Sequence, residues 1–290
     1  MRWIAVALMS LLSLGAHAAQ PENGALGFQP AASPVAEKAH FFHDIVLLPI
    51  ITVIVIAVLA LLIWVVIRFN AKANPVPSKF SHNTTIEVVW TLVPVLILLF
   101  IAFFSFRLLY MEDVAPDAPE DEWVVVKAQG NQWNWTYSYL DIDVDGYPLE
   151  FVSNPIHKGL PDEPKGTPEA PRNLAVDYPM VVPADTYVRV YTAASDVIHS
   201  FAVPAFTIKV DAIPGKLNKT WFRVSEPGTY YGQCSELCGK DHAFMPIEIR
   251  VLPKADYEAW VQRATTDIDS AREYLASLSP NNSTQLASAN

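Results

Sequence analysis

Five side chains of this 290-residue chain could act together as metal ligands: Cys234 and Cys238, His199 lying 35 residues upstream of the first, and His242 and Met245 just downstream. Four of them stand in one stretch, Cys234-Ser-Glu-Leu-Cys238-Gly-Lys-Asp-His242-Ala-Phe-Met245. Thiolates, imidazoles and a thioether are soft and borderline donors, which favour copper over magnesium, calcium or manganese. A mononuclear blue-copper site uses one cysteine, two histidines and a weak axial methionine. Here one thiolate is left over, and two thiolates four residues apart can each bridge two metal ions. One histidine then remains for each metal, with Met245 and a main-chain carbonyl between the cysteines as weak outer ligands. Such a pair suits one-electron transfer, because charge spread over two metals and two sulfurs changes the local geometry little on reduction. Two cysteines in an exported protein are most often a disulfide, but the adjacent His242 and Met245 argue against that use. A thioredoxin-like copper chaperone also has two cysteines separated by three residues and a distant histidine. Its histidine follows the pair by a long interval, whereas here His199 precedes it and His242 follows at once.

The elements that must carry these ligands are legible from composition. Residues 1–18 give a positive start, a short apolar core and an Ala-His-Ala ending, the pattern of a cleavable signal peptide. A periplasmic segment, 19–44, is expected to follow. Residues 45–67 are uncharged and almost wholly apolar, and 86–106 are apolar after Glu87 near the start. Each run is long enough for a membrane-spanning helix, in which every backbone polar group is satisfied internally. The loop between them, 68–85, holds Arg68, Lys72 and Lys79 and no acid, which places it in the cytoplasm and both flanks outside. The outer domain, 107–253, has short runs rich in Val, Tyr, Phe, Trp and Thr between turn residues: 123–127, 132–139, 149–152, 186–193, 219–224, 228–232 and 247–251. Seven or so such strands predict an all-β sandwich. Residues 154–177, rich in proline, charge and glycine, read as a long excursion between strands. A C-terminal helix is predicted over 254–278 and a disordered tail over 279–290.

The chain carries a net charge of −10. From Met111 onward there are 26 acidic and 14 basic residues, a net −12, so the excess lies in the outer domain. That sign disfavours a nucleic-acid partner. Clustered acids attract a basic partner and make its association depend on salt; Asp141, Asp143, Asp145, Glu150 and Asp196 are the candidates for docking. On this reading, neutralising Asp196 slows docking at low ionic strength and leaves the metal spectrum nearly unchanged.

From the helix hairpin to Trp260 the chain resembles subunit II of a bacterial haem-copper oxidase of the cytochrome c oxidase type. The motif that carries the resemblance is Gly232-Gln-Cys-Ser-Glu-Leu-Cys-Gly-Lys-Asp-His-Ala-Phe-Met-Pro246, with Asp196-Val-Ile-His-Ser-Phe upstream. The resemblance implies a cupredoxin sandwich on a two-helix anchor in the bacterial inner membrane, both termini and the sandwich being periplasmic. It implies a binuclear copper A centre held by His199, Cys234, Cys238, His242, Met245 and the main-chain carbonyl of Glu236. It gives the Glu236 carboxylate a magnesium ion at the interface with subunit I, Trp133 the entry of electrons from cytochrome c, and Glu87 the cytoplasmic mouth of a proton path in subunit I. Trp135 is expected in the core; alternation within a strand puts it on the same face as Trp133, so spacing alone does not separate them. Asp211-Ala-Ile-Pro-Gly-Lys216 departs from the family pattern, which ends in arginine; lysine keeps the charge and loses the planar fork. The implied function is electron entry: cytochrome c docks on the outer domain, the copper pair takes the electron, and haem in subunit I receives it for oxygen reduction. Other oxidase subunits and membrane lipid are further partners. With no Cys-x-x-Cys-His the chain carries no haem of its own. A quinol oxidase subunit shares the architecture but lacks the copper ligands, and a membrane-anchored copper metallochaperone needs a site that releases metal.

Overall fold

The computed structural model describes residues 21, 22, 24–156 and 170–278. The expected signal peptide and C-terminal tail lie outside the described residues. The chain divides into two units: residues 37–114, and an outer unit that includes 115–290 with the N-terminal residues up to Ala36.

The membrane unit is two long helices with the apolar surface turned outward. The first helical run starts earlier than its apolar core, with α1 (Pro34–Phe41), a π-helical turn over Phe42–Leu47, and α2 (Leu48–Arg68). Pro49 accounts for the π turn: it has no N–H to donate and its ring would strike the carbonyl of Ile45, so the helix widens there. The second helix, α3 (Thr84–Asp113), also outruns its predicted span. Its start is fixed by Asn83, whose side chain accepts from Thr85 N at 3.0 Å and Ile86 N at 3.2 Å. Glu87 stands in that first turn, where a negative charge is favoured by the helix dipole.

The outer unit is a cupredoxin-like sandwich of two five-stranded sheets rather than seven strands. One sheet runs β3-β2-β1-β5-β8, from β1 (Trp123–Asn131), β2 (Asn134–Val144), β3 (Tyr147–Ser153), β5 (Tyr187–Ala194) and β8 (Asn218–Arg223). The other runs β4-β10-β9-β6-β7, from β4 (Met180–Pro183), β6 (His199–Val203), β7 (Ile208–Ala212), β9 (Gly228–Cys234) and β10 (Pro246–Leu252). The other seven strands coincide with the predicted runs; β4, β6 and β7 were not predicted. Every residue of β4 is buried, and it pairs in parallel with β10, so it shows no period of two. The core between the sheets contains Val126, Trp135, Tyr137, Tyr139, Phe201, Ile247 and Ile249.

The proline-rich excursion is closed at its neck. Asn154 N donates to Asp177 Oδ1 at 2.7 Å, Asp177 N donates to Asn154 O at 3.0 Å, and Pro155 bridges Val176. Instead of one C-terminal helix there are two, α4 (Lys254–Ala264) and α5 (Ile268–Ser277). Asp267 starts the second by accepting from Asp269 N and Ser270 N, both at 3.2 Å. Trp260 of α4 is fully buried against Tyr139 and Phe151.

Candidate metal centre

Strand register brings the five donors together. β9 pairs β10 antiparallel with Gln233 opposite Pro246, so the loop from Cys234 to Met245 leaves and returns at one level. Cys234 N donates to Met245 O at 3.2 Å and closes that loop at its base. On the other side of β9, Phe201 pairs with Cys234, which sets His199 beside the same loop. Ser235 N donates to Ser200 O at 3.0 Å and holds the two segments together.

The sulfurs of Cys234 and Cys238 are 3.8 Å apart and unbonded, nearly twice the ~2.05 Å of a disulfide. His199 Nδ1 lies 3.3 Å from Met245 Sδ and 3.9 Å from Cys234 Sγ. Cys238 Sγ lies 3.6 Å from His242 Nδ1 and 3.5 Å from Met245 Sδ. The Glu236 carbonyl is 3.3 Å from Cys234 Sγ. His199, Cys234, Cys238 and Met245 are buried, and His242 is partly so. The side chains of Glu236 and Leu237 point outward and are exposed.

The electrostatics suit a cation. Burial opposes ionisation of Cys234, yet hydrogen bonds with His199, with the main chain at Glu236 and Ser200, and with His242 outweigh it and bring the thiol down to about 6. Burial and the adjacent Cys234 charge push Cys238 up to about 12. One proton therefore leaves this pair readily and the second only against repulsion at 3.8 Å, which a cation between the sulfurs relieves. Two thiols, two imidazole nitrogens, a thioether and a carbonyl around one space fit a soft-metal pair and not a disulfide.

Asp196 has a second role that its type did not reveal. Its Oδ1 accepts from His199 Nε2 at 2.8 Å and from Val197 N at 2.6 Å, and its Oδ2 accepts from Gln132 N at 2.7 Å. The bond to Nε2 leaves Nδ1 of His199 as the nitrogen facing the donors. Burial works to raise the Asp196 carboxyl, but these bonds outweigh it and hold it below its ordinary value. The reciprocal bonds, to Cys234 and to Asp196, raise the His199 imidazole against the effect of its burial. The expectation that neutralising Asp196 would spare the metal site therefore needs revising: its carboxylate is hydrogen-bonded to His199, one of the five candidate donors.

The two tryptophans separate. Gln132 and Trp133 form the turn between β1 and β2, outside the strand alternation, and Trp133 Nε1 donates to Cys238 O at 3.3 Å. Trp135 is fully buried with its ring centroid 6.1 Å from that of His199. The other docking candidates are not gathered here. Asp141 and Asp143 lie toward the opposite end of β2, Asp141 roughly 23 Å from Asn134 at about 3.3 Å per residue, and Asp145 lies in the turn beyond it. Asp141 Oδ2 accepts from Val125 N, Asp143 Oδ1 accepts from Gly146 N, and Glu150, on the edge strand β3, accepts from Ser138 Oγ. Sequence reasoning also missed Gly130. A Cβ there would lie 2.8 Å from His199 Cγ and Cδ2, so only glycine leaves room for the imidazole.

The families described as "Cytochrome C oxidase subunit II, periplasmic domain" and "Cytochrome C oxidase subunit II, transmembrane domain" match residues 124–252 and 21–108. A probable cytochrome c oxidase subunit 2 of Rickettsia bellii (strain RML369-C) is 47% identical over 251 residues, covering 87% of this chain and 88% of the relative. Cytochrome c oxidase subunit 2 of Cereibacter sphaeroides is 40% identical over 257 residues, covering 84% of this chain and 82% of its own length. Among solved structures, the periplasmic domain of subunit II of cytochrome oxidase of Bradyrhizobium japonicum is 45% identical. It covers 53% of this chain and 99% of that one, with a TM-score of 0.45.

Proposed function

Because the chain belongs to the cytochrome c oxidase subunit II family, we propose that it is the electron-entry subunit of that oxidase, receiving electrons from cytochrome c near Trp133. Its helices and outer sandwich make it a membrane-anchored protein with the folded domain outside the bilayer, working beside a subunit I. The single observation that carries the reading is the convergence of two free thiols, two imidazoles and a thioether on one space.

Cys234, Cys238, His199 and His242, together with Met245 and the Glu236 carbonyl, would hold two copper ions. Bound there, the pair supplies a one-electron redox centre. The protein's share is to hold the donors in place: the base of the loop is tied by Cys234 N to Met245 O, and His199 is aimed by Asp196. Oxygen reduction belongs to subunit I.

The remaining assignments extend the same reading. Glu236 presents an exposed carboxylate beside the cysteines, where magnesium at the subunit I interface would find an oxygen ligand. Glu87 lies in the first turn of α3, in keeping with the mouth of a proton path. Arg68, Lys72 and Lys79 favour a cytoplasmic interhelical loop, which supports a periplasmic sandwich and periplasmic termini on an inner membrane whose lipid would surround the helices. Asp196 is the docking acid closest to Trp133; Glu150 and the three aspartates on the far end of the hairpin would meet a wider part of the cytochrome surface.

The test is metal analysis with electron paramagnetic resonance on the assembled oxidase and its Cys238→Ser variant. The native protein should hold two copper ions in this subunit sharing one unpaired electron equally, and the variant should lose that signature together with cytochrome c oxidation. A cystine, a single copper ion, or a shared-electron signal that survives the substitution would overturn the reading.

A further inference from the structure

We infer that Gln132 is a positioning residue that fixes the Trp133 indole against the ligand loop. The inference rests on Trp133 being the point of electron entry. Gln132 is clamped at both ends: its main-chain N–H is bound by Asp196 Oδ2 at 2.7 Å, and its side-chain Nε2 donates to Cys238 O at 2.8 Å. Trp133 Nε1 reaches the same carbonyl at only 3.3 Å, beyond the usual 2.7–3.2 Å for N–H···O. The amide of Gln132 is therefore the stronger of the two anchors, and the indole alone is a weak one.

The loop main chain lies directly against both side chains. Gly239, next to Cys238, has φ +118°, and a Cβ on it would stand 3.1 Å from Gln132 Nε2 and 3.2 Å from Trp133 Cζ2. Gln132 is exposed, yet its amide is laid on the loop carbonyl instead of being left to solvent. The hydrogen-bond partners of Gln132 are the main-chain carbonyl of Cys238 and the carboxylate bonded to His199, not a sulfur or an imidazole. Its loss should therefore shift the indole and leave the metal donors in place.

Gln132→Met keeps side-chain length and removes the donor. In the assembled oxidase it should slow electron entry at saturating reduced cytochrome c on the order of tenfold, the scale of a misplacement of under an ångström. KM and the copper resonance spectrum should stay unchanged. Trp133→Phe should slow entry as well, and the double variant should be no slower than Trp133→Phe alone, because Gln132 acts through the indole. Normal entry in Gln132→Met beside slow entry in Trp133→Phe overturns the role of Gln132 and leaves the entry point standing. Normal entry in Trp133→Phe overturns the entry point itself. An altered copper spectrum in Gln132→Met, or additive losses in the double variant, overturns positioning of the indole as the means.

Discussion

Gly130→Ala puts the placement of His199 to a quantitative test. Gly130 lies on β1, opposite Trp135 on β2 and Ala194 on β5, so its backbone is held from both sides by ladder pairing. A methyl group there must sit 2.8 Å from His199 Cγ and Cδ2 and 2.9 Å from its Cβ, where ordinary contact is 3.4–4 Å. The imidazole has to retreat from 2.8 Å to at least 3.4 Å, a shift of about 0.6–1.2 Å. It has nowhere to go without loss, since Nε2 is bonded to Asp196 at 2.8 Å and the ring packs edge-on near Trp135. Overpacking of this kind costs about 1–3 kcal/mol. Metal–ligand distances tolerate about ±0.2 Å, so the strain should appear chiefly as weaker metal binding, on the order of 5- to 150-fold at 1.4 kcal/mol per decade. The assay is copper content of the purified oxidase against increasing chelator, with the resonance spectrum and the melting temperature recorded alongside. Gly27→Ala, where an added Cβ meets nothing within 4 Å, is the control. A Gly130→Ala oxidase that resists chelator, melts and resonates like the parent would refute the claim that glycine is needed there to seat the histidine.

Asp196→Asn should change both the reduction potential and the copper spectrum, with a loss on the order of 10- to 100-fold in metal affinity or activity, the scale for removing the partner of a ligating histidine. Spectroelectrochemistry together with KM at several ionic strengths checks this; an unchanged spectrum with only a salt-dependent KM would return Asp196 to a plain docking acid. Glu248 supplies a pH test. It is buried on β10, accepts from Val176 N at 3.0 Å and pairs with Arg250 at 2.8 Å, yet burial dominates and raises its carboxyl. A raised carboxyl contributes stability below its unfolded value and loses it as pH climbs through the folded one. Glu248→Gln keeps an acceptor for Val176 N and should flatten that decline, read as melting temperature from about pH 4 to 7; parallel curves for the two proteins would show that Glu248 does not set the slope.

Much of this architecture is legible without coordinates because few structures satisfy the constraints. Twenty apolar residues without charge have to be helical in lipid, and alternating strands announce their buried face. What escaped is what depends on register. β6, which carries His199, is five residues long and buried at four of them, so neither length nor alternation marks it. Trp133 and Trp135 look equivalent until β2 is seen to start at Asn134, which puts the first in a turn and the second in the core. Asp196 was read by type as surface charge. In the fold its Oδ1 is bonded to Nε2 of a candidate donor histidine, because the bend through Asp196 and Val197 brings the two together. A sequence names the donors of a metal site by their chemistry. It does not name the groups that aim them, since those are ordinary residues whose meaning comes from which strand lies opposite which. The close contact with Gly130 and the two-ended clamp on Gln132 are of that second kind, and the fold's share in electron entry is therefore measured at such positions rather than at the cysteines.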